Sequence, residues 1–248
     1  MTAPKAIRSG SVRPGNGHAA APSVTARTIL VTGTGTGVGK TVLSTLLVRR
    51  LLHHQRLVRA FKPVCSGGRS DARALWWAQQ RNIPLDVVNP WWFAAPVTPR
   101  LAAQKAGVSL RLAAVESHLR RHAVPAGLTL VEGAGGLLSP LGEDFDTRAL
   151  LLALAARPVV VAVNRLGVLN DAWLTWEALP EPQRAQSIWV LFDPAKPDAS
   201  TADNQAMLAE RIHPDRIHSL PRCAPAQRRH PRADLGLRLD ALIAQLYA

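Results

Sequence analysis

The sequence is poor in cysteine, lysine and acid. Its 248 residues contain two cysteines, Cys65 and Cys223. Two thiols cannot build a disulfide framework or a cysteine metal site. The pattern fits a chain kept in a reducing compartment, and a cytoplasmic location is the expectation. Acidic residues number 17 against 30 Lys and Arg, a formal charge of +13. Lysine is confined to Lys5, Lys40, Lys62, Lys105 and Lys196, and the other basic residues are arginines scattered along the chain. Without a long basic run, the excess reads as an arginine-rich composition and no nucleic-acid partner is expected. Long apolar runs are missing too. The longest, Leu150 to Val163, is broken by Arg157 and Pro158 and falls short of the roughly 18 residues of a membrane-spanning helix. No membrane partner is expected.

What is present is core material. Hydrophobic residues make up 47% and charged residues 19%, which excludes disorder over most of the chain. Residues 1–26 differ from the rest. They hold Pro4, Gly10, Pro14, Gly15, Gly17 and Pro22, no acid and no apolar periodicity, so they read as a disordered basic tail. They lack the apolar stretch of a secretory signal. From Thr28 onward short apolar runs alternate with helical patterns, and residues 27–248 read as a single domain. Strands are expected at Ile29–Thr32, Val58–Lys62, Leu128–Glu132, Pro158–Val163, Ile188–Leu191 and Arg216–Ser219. Runs such as Val159-Val160-Val161 are apolar on both faces, as in buried parallel strands. Helices are expected at Lys40–His53, Asp71–Gln80, Leu110–His122, Thr147–Ala156, Asn170–Leu179, Ala202–Ile212 and Leu235–Tyr247. In the first, Leu43, Leu46, Leu47 and Leu51 recur at helical spacing. Strands alternating with helices imply right-handed βαβ units and a mostly parallel sheet.

The first strand runs into Thr32-Gly33-Thr34-Gly35-Thr36-Gly37-Val38-Gly39-Lys40-Thr41 and then a helix. Strand, glycine-rich turn and helix are the context of a P-loop. The glycines let backbone amides, here of Gly37 to Val42, turn around a polyphosphate, and the helix N-terminus adds free amides and partial positive charge. Lys40 can reach the β- and γ-phosphates, and Thr41 can offer its hydroxyl to a phosphate-bound magnesium ion. The standard spacing asks for glycine at position 34. Thr34 stands there and Gly33 comes one residue earlier, so the loop is an elongated variant. The fold class expected is an α/β, P-loop NTPase-like three-layer sandwich around a mostly parallel sheet. The loop alone gives nucleotide binding and no particular reaction.

Further segments narrow the choice. Phe61-Lys62-Pro63-Val64-Cys65-Ser66-Gly67, Asn89-Pro90-Trp91-Trp92-Phe93-Ala94-Ala95-Pro96-Val97-Thr98-Pro99, Val131-Glu132-Gly133-Ala134-Gly135-Gly136-Leu137-Leu138-Ser139-Pro140-Leu141 and Leu166-Gly167-Val168-Leu169-Asn170 follow the loop in that order. Together with the loop they resemble the motifs of the ATP-dependent dethiobiotin synthetases of biotin biosynthesis, over residues 28 to about 175. The resemblance implies an ATP-dependent ligase that joins 7,8-diaminononanoate to carbon dioxide through a carbamate and a phosphorylated carbamate, giving dethiobiotin, ADP and phosphate.

The resemblance also implies roles. Lys62, Lys40 and Thr36 would be catalytic, Lys62 and Thr36 meeting the carbamate. Gly37, Val38, Gly39, Lys40, Thr41, Val42 and Glu132 would bind nucleotide. Thr41, Asp71 and Glu132 would hold Mg2+. Ser66, Gly133, Ala134, Gly135 and Gly136 would bind substrate, with Gly167, Leu169 and Asn170 closing over the site of a partner subunit in a homodimer. Departures stand beside these matches. The family loop carries acids where Gly35 and, often, Gly37 stand, and a His where Asp171 stands. It reads adenine through an Asn-Asp pair that Leu191-Phe192-Asp193-Pro194 does not reproduce. Nucleotide choice would then be relaxed, or Phe192 would stack on the base. The alternatives are a degenerate P-loop paralogue and a related amide-forming ligase with another amine substrate. The amidating ligases of this superfamily carry a glutaminase domain, for which 248 residues leave no room. Partition-type ATPases carry an early loop lysine, missing here.

Overall fold

The computed structural model describes residues 27–223 and 233–247; the N-terminal tail expectation lies outside them. The central sheet has six parallel strands. They are β1 (Arg27–Gly33), β2 (Val58–Phe61), β5 (Leu128–Glu132), β6 (Arg157–Val163), β7 (Ile188–Phe192) and β8 (Ile217–Leu220), in the order β2-β5-β1-β6-β7-β8. A separate parallel pair, β3 (Val64–Ser66) and β4 (Trp91–Phe93), lies beyond the β2 end.

Each central strand is buried on both faces, and period-two alternation sends neighbouring residues to opposite cores. Ile29, Val31, Val159 and Val161 enter one core with helices α1 (Lys40–His53), α2 (Ser70–Ala78) and the C-terminal helix α10 (Ala233–Tyr247). Leu30, Val131, Val160 and Ala162 enter the other. That second layer holds α4 (Pro99–Lys105), α5 (Leu112–His122), α6 (Thr147–Ala153), α7 (Val168–Ala178) and α9 (Asn204–Leu208). Short helices α3 (Leu85–Val88) and α8 (Glu181–Gln186) complete the set of α-helices described. This is the expected three-layer sandwich.

Element ends follow local chemistry. The helix expected to reach Ala156 stops at Ala153, because Ala155 takes a left-handed φ of 46°. The helix expected to reach Gln80 stops at Ala78, where Gln80 and Arg81 take φ values of 58° and 57°. The Ala202–Ile212 expectation contracts to α9. His54, exposed just past the end of α1, bonds Asp240 at 2.7 Å. Arg50 bonds the same carboxylate, whose pKa it pulls down to about 2. α10 is thereby tied to the helix that follows the phosphate loop.

The chain departs from β1 to β2 on one side and later to β6 on the other. Such a reversal opens a crevice at the strands' C-terminal ends, where α/β proteins bind ligands. The outer edge of β2 is closed by a side chain. Gln79, fully buried, accepts from the Ala60 amide at 3.1 Å and donates to the Ala60 carbonyl at 3.0 Å. Gln79→Met keeps the bulk but strands both backbone groups, each loss costing about 1–3 kcal/mol. Urea unfolding should therefore show a stability loss of about 2–6 kcal/mol, and an unchanged midpoint would rule out this clasp.

Candidate active site

The phosphate loop spans the gap between the end of β1 and the start of α1. Gly39 sits at φ 106°, and a Cβ there would meet the Phe192 ring at 2.8 Å. Glycine is required on both counts. Phe192 itself is 6% exposed and packed under the loop in the core. That placement corrects the expectation of a ring free to stack on a base. Lys40 folds back across the loop and donates to the Gly35 carbonyl at 2.6 Å. Burial, and then the nearby Lys62 charge, lower its pKa to about 8.

Lys62 follows β2 directly and is 3% exposed. It donates to Glu132 Oε1 at 2.9 Å and to the Gly133 carbonyl at 2.7 Å, with Asp71 Oδ2 at 3.7 Å. Burial alone would pull its pKa down, but Glu132 and then Asp71 outweigh burial and hold it above the ordinary lysine value. Two of the three ammonium protons are thus committed. Glu132 closes β5 at 1% exposure, and its Oε1 also accepts from the Thr41 hydroxyl at 2.6 Å. Its Oε2 is buried with no hydrogen-bond partner among the described residues. One carboxylate therefore joins the ends of β2 and β5 to the start of α1.

These groups border a cavity of about 760 Å³. Thr36, Gly37, Gly39, Lys40, Thr41 and Val42 form one wall, Lys62, Ser66 and Asp71 another, and Ala134 and Gly135 a third. Asp71 lies in the first turn of α2 and does not cap it. Ser66 donates to the Val97 carbonyl at 2.5 Å. Val38 packs against the core, and Glu132 stands behind Thr41 and Lys62.

Gly135 takes φ 71°, and a side chain there would run into Ser139. Ser139 Oγ accepts from the Gly136 amide at 2.8 Å, so it shapes the glycine turn. Sequence reasoning missed Ser139; its one signal is a hydroxyl residue placed just before Pro140. A second cavity of about 480 Å³ adjoins the first and shares Thr36 and Ser139 with it. Gly136 lines it, as do Asp171 and Leu174 of α7. Gly167, Leu169 and Asn170 line neither cavity. Gly167 and Asn170 are exposed at the start of α7.

A glycine-rich loop opening a helix at the reversal of a parallel sheet, with a lysine held across it, defines a P-loop nucleotide-binding protein. A family model described as an AAA domain matches residues 27–225. An ATP-dependent dethiobiotin synthetase BioD of Ralstonia nicotianae is 34% identical over 200 residues, covering 77% of this chain and 87% of that protein. The protein of that name from Pseudomonas aeruginosa is 38% identical over 222 residues, covering 84% and 95%. The one from Xylella fastidiosa is 33% identical over 221 residues, covering 82% and 97%. The chain belongs to the ATP-dependent dethiobiotin synthetase family.

The depressed pKa of Lys40 gives nucleotide binding a pH signature. Its pKa is lowered to about 8, and a bound polyphosphate would return it toward its ordinary value, so binding would take up a proton above pH 8. The Kd for ATP should be flat below pH 8 and rise by about tenfold per pH unit above it. Lys40→Arg, which does not titrate, should flatten the rise. Calorimetry at pH 9 in buffers of different ionisation enthalpy reads the proton, and zero uptake would refute the assignment.

Proposed function

We propose that the larger cavity is where the chain, as a dethiobiotin synthetase, closes the ureido ring of its substrate. One amine of 7,8-diaminononanoate adds to carbon dioxide to give a carbamate. A carbamate oxygen attacks the γ-phosphorus of ATP, and ADP leaves. The second amine then attacks the carbamate carbon, phosphate departs with the C–O electron pair, and the amine proton is lost. Negative charge develops on oxygen in both transfers, so the site should supply fixed cations and amides and no protein nucleophile. The observation that carries this reading is Lys62: a buried ammonium, two of its protons fixed by Glu132 and Gly133, bordering the same cavity as the phosphate loop.

The roles follow. The loop amides from Gly37 to Val42 hold the phosphates, and Lys40 leaves the Gly35 carbonyl to follow the γ-phosphate. Lys62 aims its remaining proton at the carbamate and the transferring oxygens, with Thr36 opposite. Ser66, Gly133, Ala134, Gly135 and Gly136 border the substrate, Gly133 through the carbonyl that orients Lys62. The residues also fit a magnesium ion. Thr41 gives its proton to Glu132, which leaves its lone pairs for a cation, Glu132 Oε2 is unpartnered, and Asp71 lies on the wall. These three would hold it. Bound there, magnesium would supply charge neutralisation to the phosphates.

A homodimer completes the reading. Leu166 is 75% exposed, Leu174 64% and Leu138 51%. A second copy would cover such large apolar side chains and bring Gly167, Leu169 and Asn170 to its neighbour's cavity. No helix among the described residues is long and apolar enough to cross a membrane; we place the chain in the cytoplasm on its cysteine usage.

The test is a steady-state assay with 7,8-diaminononanoate, bicarbonate, magnesium and each nucleoside triphosphate in turn, scoring ureido product by mass. Lys62→Ala should lower kcat by about 10²–10³-fold, the scale of losing one oxyanion-stabilising group, with the KM for ATP little changed. Product formation that survives Lys62→Ala would overturn this role, and no product with any nucleotide would overturn the reading.

A further inference from the structure

The end of the sheet opposite the phosphate loop carries positive charge that the fold does not answer. Arg27 opens β1, Arg157 opens β6, and Arg216 stands just before β8. The acids nearby are spent elsewhere. Glu177 faces Arg184 and Arg211, Glu181 faces Arg184, and Asp215 faces His213. Arg27 and Arg157 turn instead to backbone. They donate to the Leu246 and Gln245 carbonyls at the end of α10, and Arg157 also to the Gln186 carbonyl. Arg216 lacks even that. Among the described residues its guanidinium makes no hydrogen bond, and Nη1 is sealed from water without an acceptor. An N–H group left in that state is costly. Burial, and then the charges of Arg216 and Arg27, hold the Arg157 pKa below the ordinary arginine value.

Arg216 lines a cavity of about 210 Å³ beside the starts of β7 and β8. Arg184, Arg211, His213, Trp176 and Glu181 line it too. Arg184 is largely committed: it donates to the Leu179 and Glu177 carbonyls and stacks 4.4 Å from the centre of the Trp176 ring. Arg211 is not. Its one acid is Glu177 at 3.7 Å, and its side chain is 49% exposed. Glu181 is the one carboxylate on the wall and points out, at 83% exposure. The wall thus offers guanidinium N–H groups with few acceptors to meet them. Guanidinium forks match phosphoryl oxygens two at a time. The volume falls below the roughly 300 Å³ at which drug-sized ligands begin to be held, so a compact anion fits and a nucleotide does not. We propose that this cavity is a second anion site, separate from the phosphate loop, which takes a compact phosphate-type polyanion between Arg216 and Arg211 with Trp176 alongside. Inorganic diphosphate and a small phosphate ester present the same oxygens to it. The site stands independently of the synthetase reading.

The site can be followed by its own tryptophan, which keeps it distinct from the phosphate loop. The full chain, labelled with nitrogen-15 at its indoles, is titrated at low ionic strength with inorganic pyrophosphate and, separately, with glycerol 3-phosphate. The Trp176 indole signal, assigned by its loss in Trp176→Phe, should shift and saturate with at least one of them, and the tighter of the two names the source. Sodium chloride at matched ionic strength should not reproduce the shift. Arg216→Gln should weaken binding by about tenfold, the scale of losing a hydrogen bond to a charged group, and Arg211→Gln should weaken it in the same direction. Lys40→Ala, which disarms the phosphate loop, should leave the Trp176 titration as it is. Without ligand, Arg216→Gln should melt no lower than the wild type, because it removes a cation that has no partner in the fold. Should it melt lower, Arg211→Gln decides, and binding equal to wild type in that variant overturns the proposal. No saturable shift with either anion, a shift that chloride reproduces or that Lys40→Ala abolishes, or equal binding by wild type and Arg216→Gln would each overturn it as well.

Discussion

The buried contact between Lys62 and Glu132 is the constraint on which the rest of the site depends. Neither charge can be left alone in the interior, since stripping water from an ion costs more than most single interactions return. Together, and with Thr41 and Gly133, they satisfy most of each other's bonding capacity. Geometry follows from that need. The contact pins the ends of β2 and β5 to the first residues of α1, so the lysine cannot drift from the loop that holds phosphate. What is left over is informative. Among the described residues one ammonium proton, facing Asp71 at 3.7 Å, and one carboxylate oxygen make no hydrogen bond, and both suit the cation-rich, anion-loaded state of a working site.

The phosphate loop is held from below as well as from the side. Phe192 supplies an apolar floor on which Gly39 rests. The floor belongs to β7, and its burial comes from the same core that receives α1. α1 is in turn locked to α10 through Arg50, His54 and Asp240. Loop position is thus set by packing from β7 and by the tie between α1 and α10.

Much of this was legible in the sequence. β5 and α1 have the boundaries their patterns suggest, because Leu128–Glu132 is apolar but for Thr129 up to its terminal carboxylate and Lys40 follows a run of glycines. The β3–β4 pair escaped notice because its strands are three residues each, too short for a periodic signal. α9 is shorter than its pattern, since apolar spacing marks a buried face and not where a chain turns away. The phosphate side of the site could be read because its residues cluster in motifs. Ser139 could not, because its role depends on which face of a turn meets a cavity assembled from distant segments. Phe192 shows the converse: the residue was conspicuous, but its role as a floor appears only once Gly39 is seen above it. The link from His54 to Asp240 spans 186 residues and has no local trace.

The Gln79 amide has a bearing on association. A parallel sheet offers an unpaired edge at each side, and an unpaired edge can recruit a strand from another chain. On the β2 side this protein answers with one side chain that imitates a neighbouring strand for the length of a single residue, occupying both backbone groups of Ala60. An incoming strand would have to dislodge a buried amide before its ladder could start. The sheet is therefore finished on that side, and strand addition is barred there by one amide at Ala60.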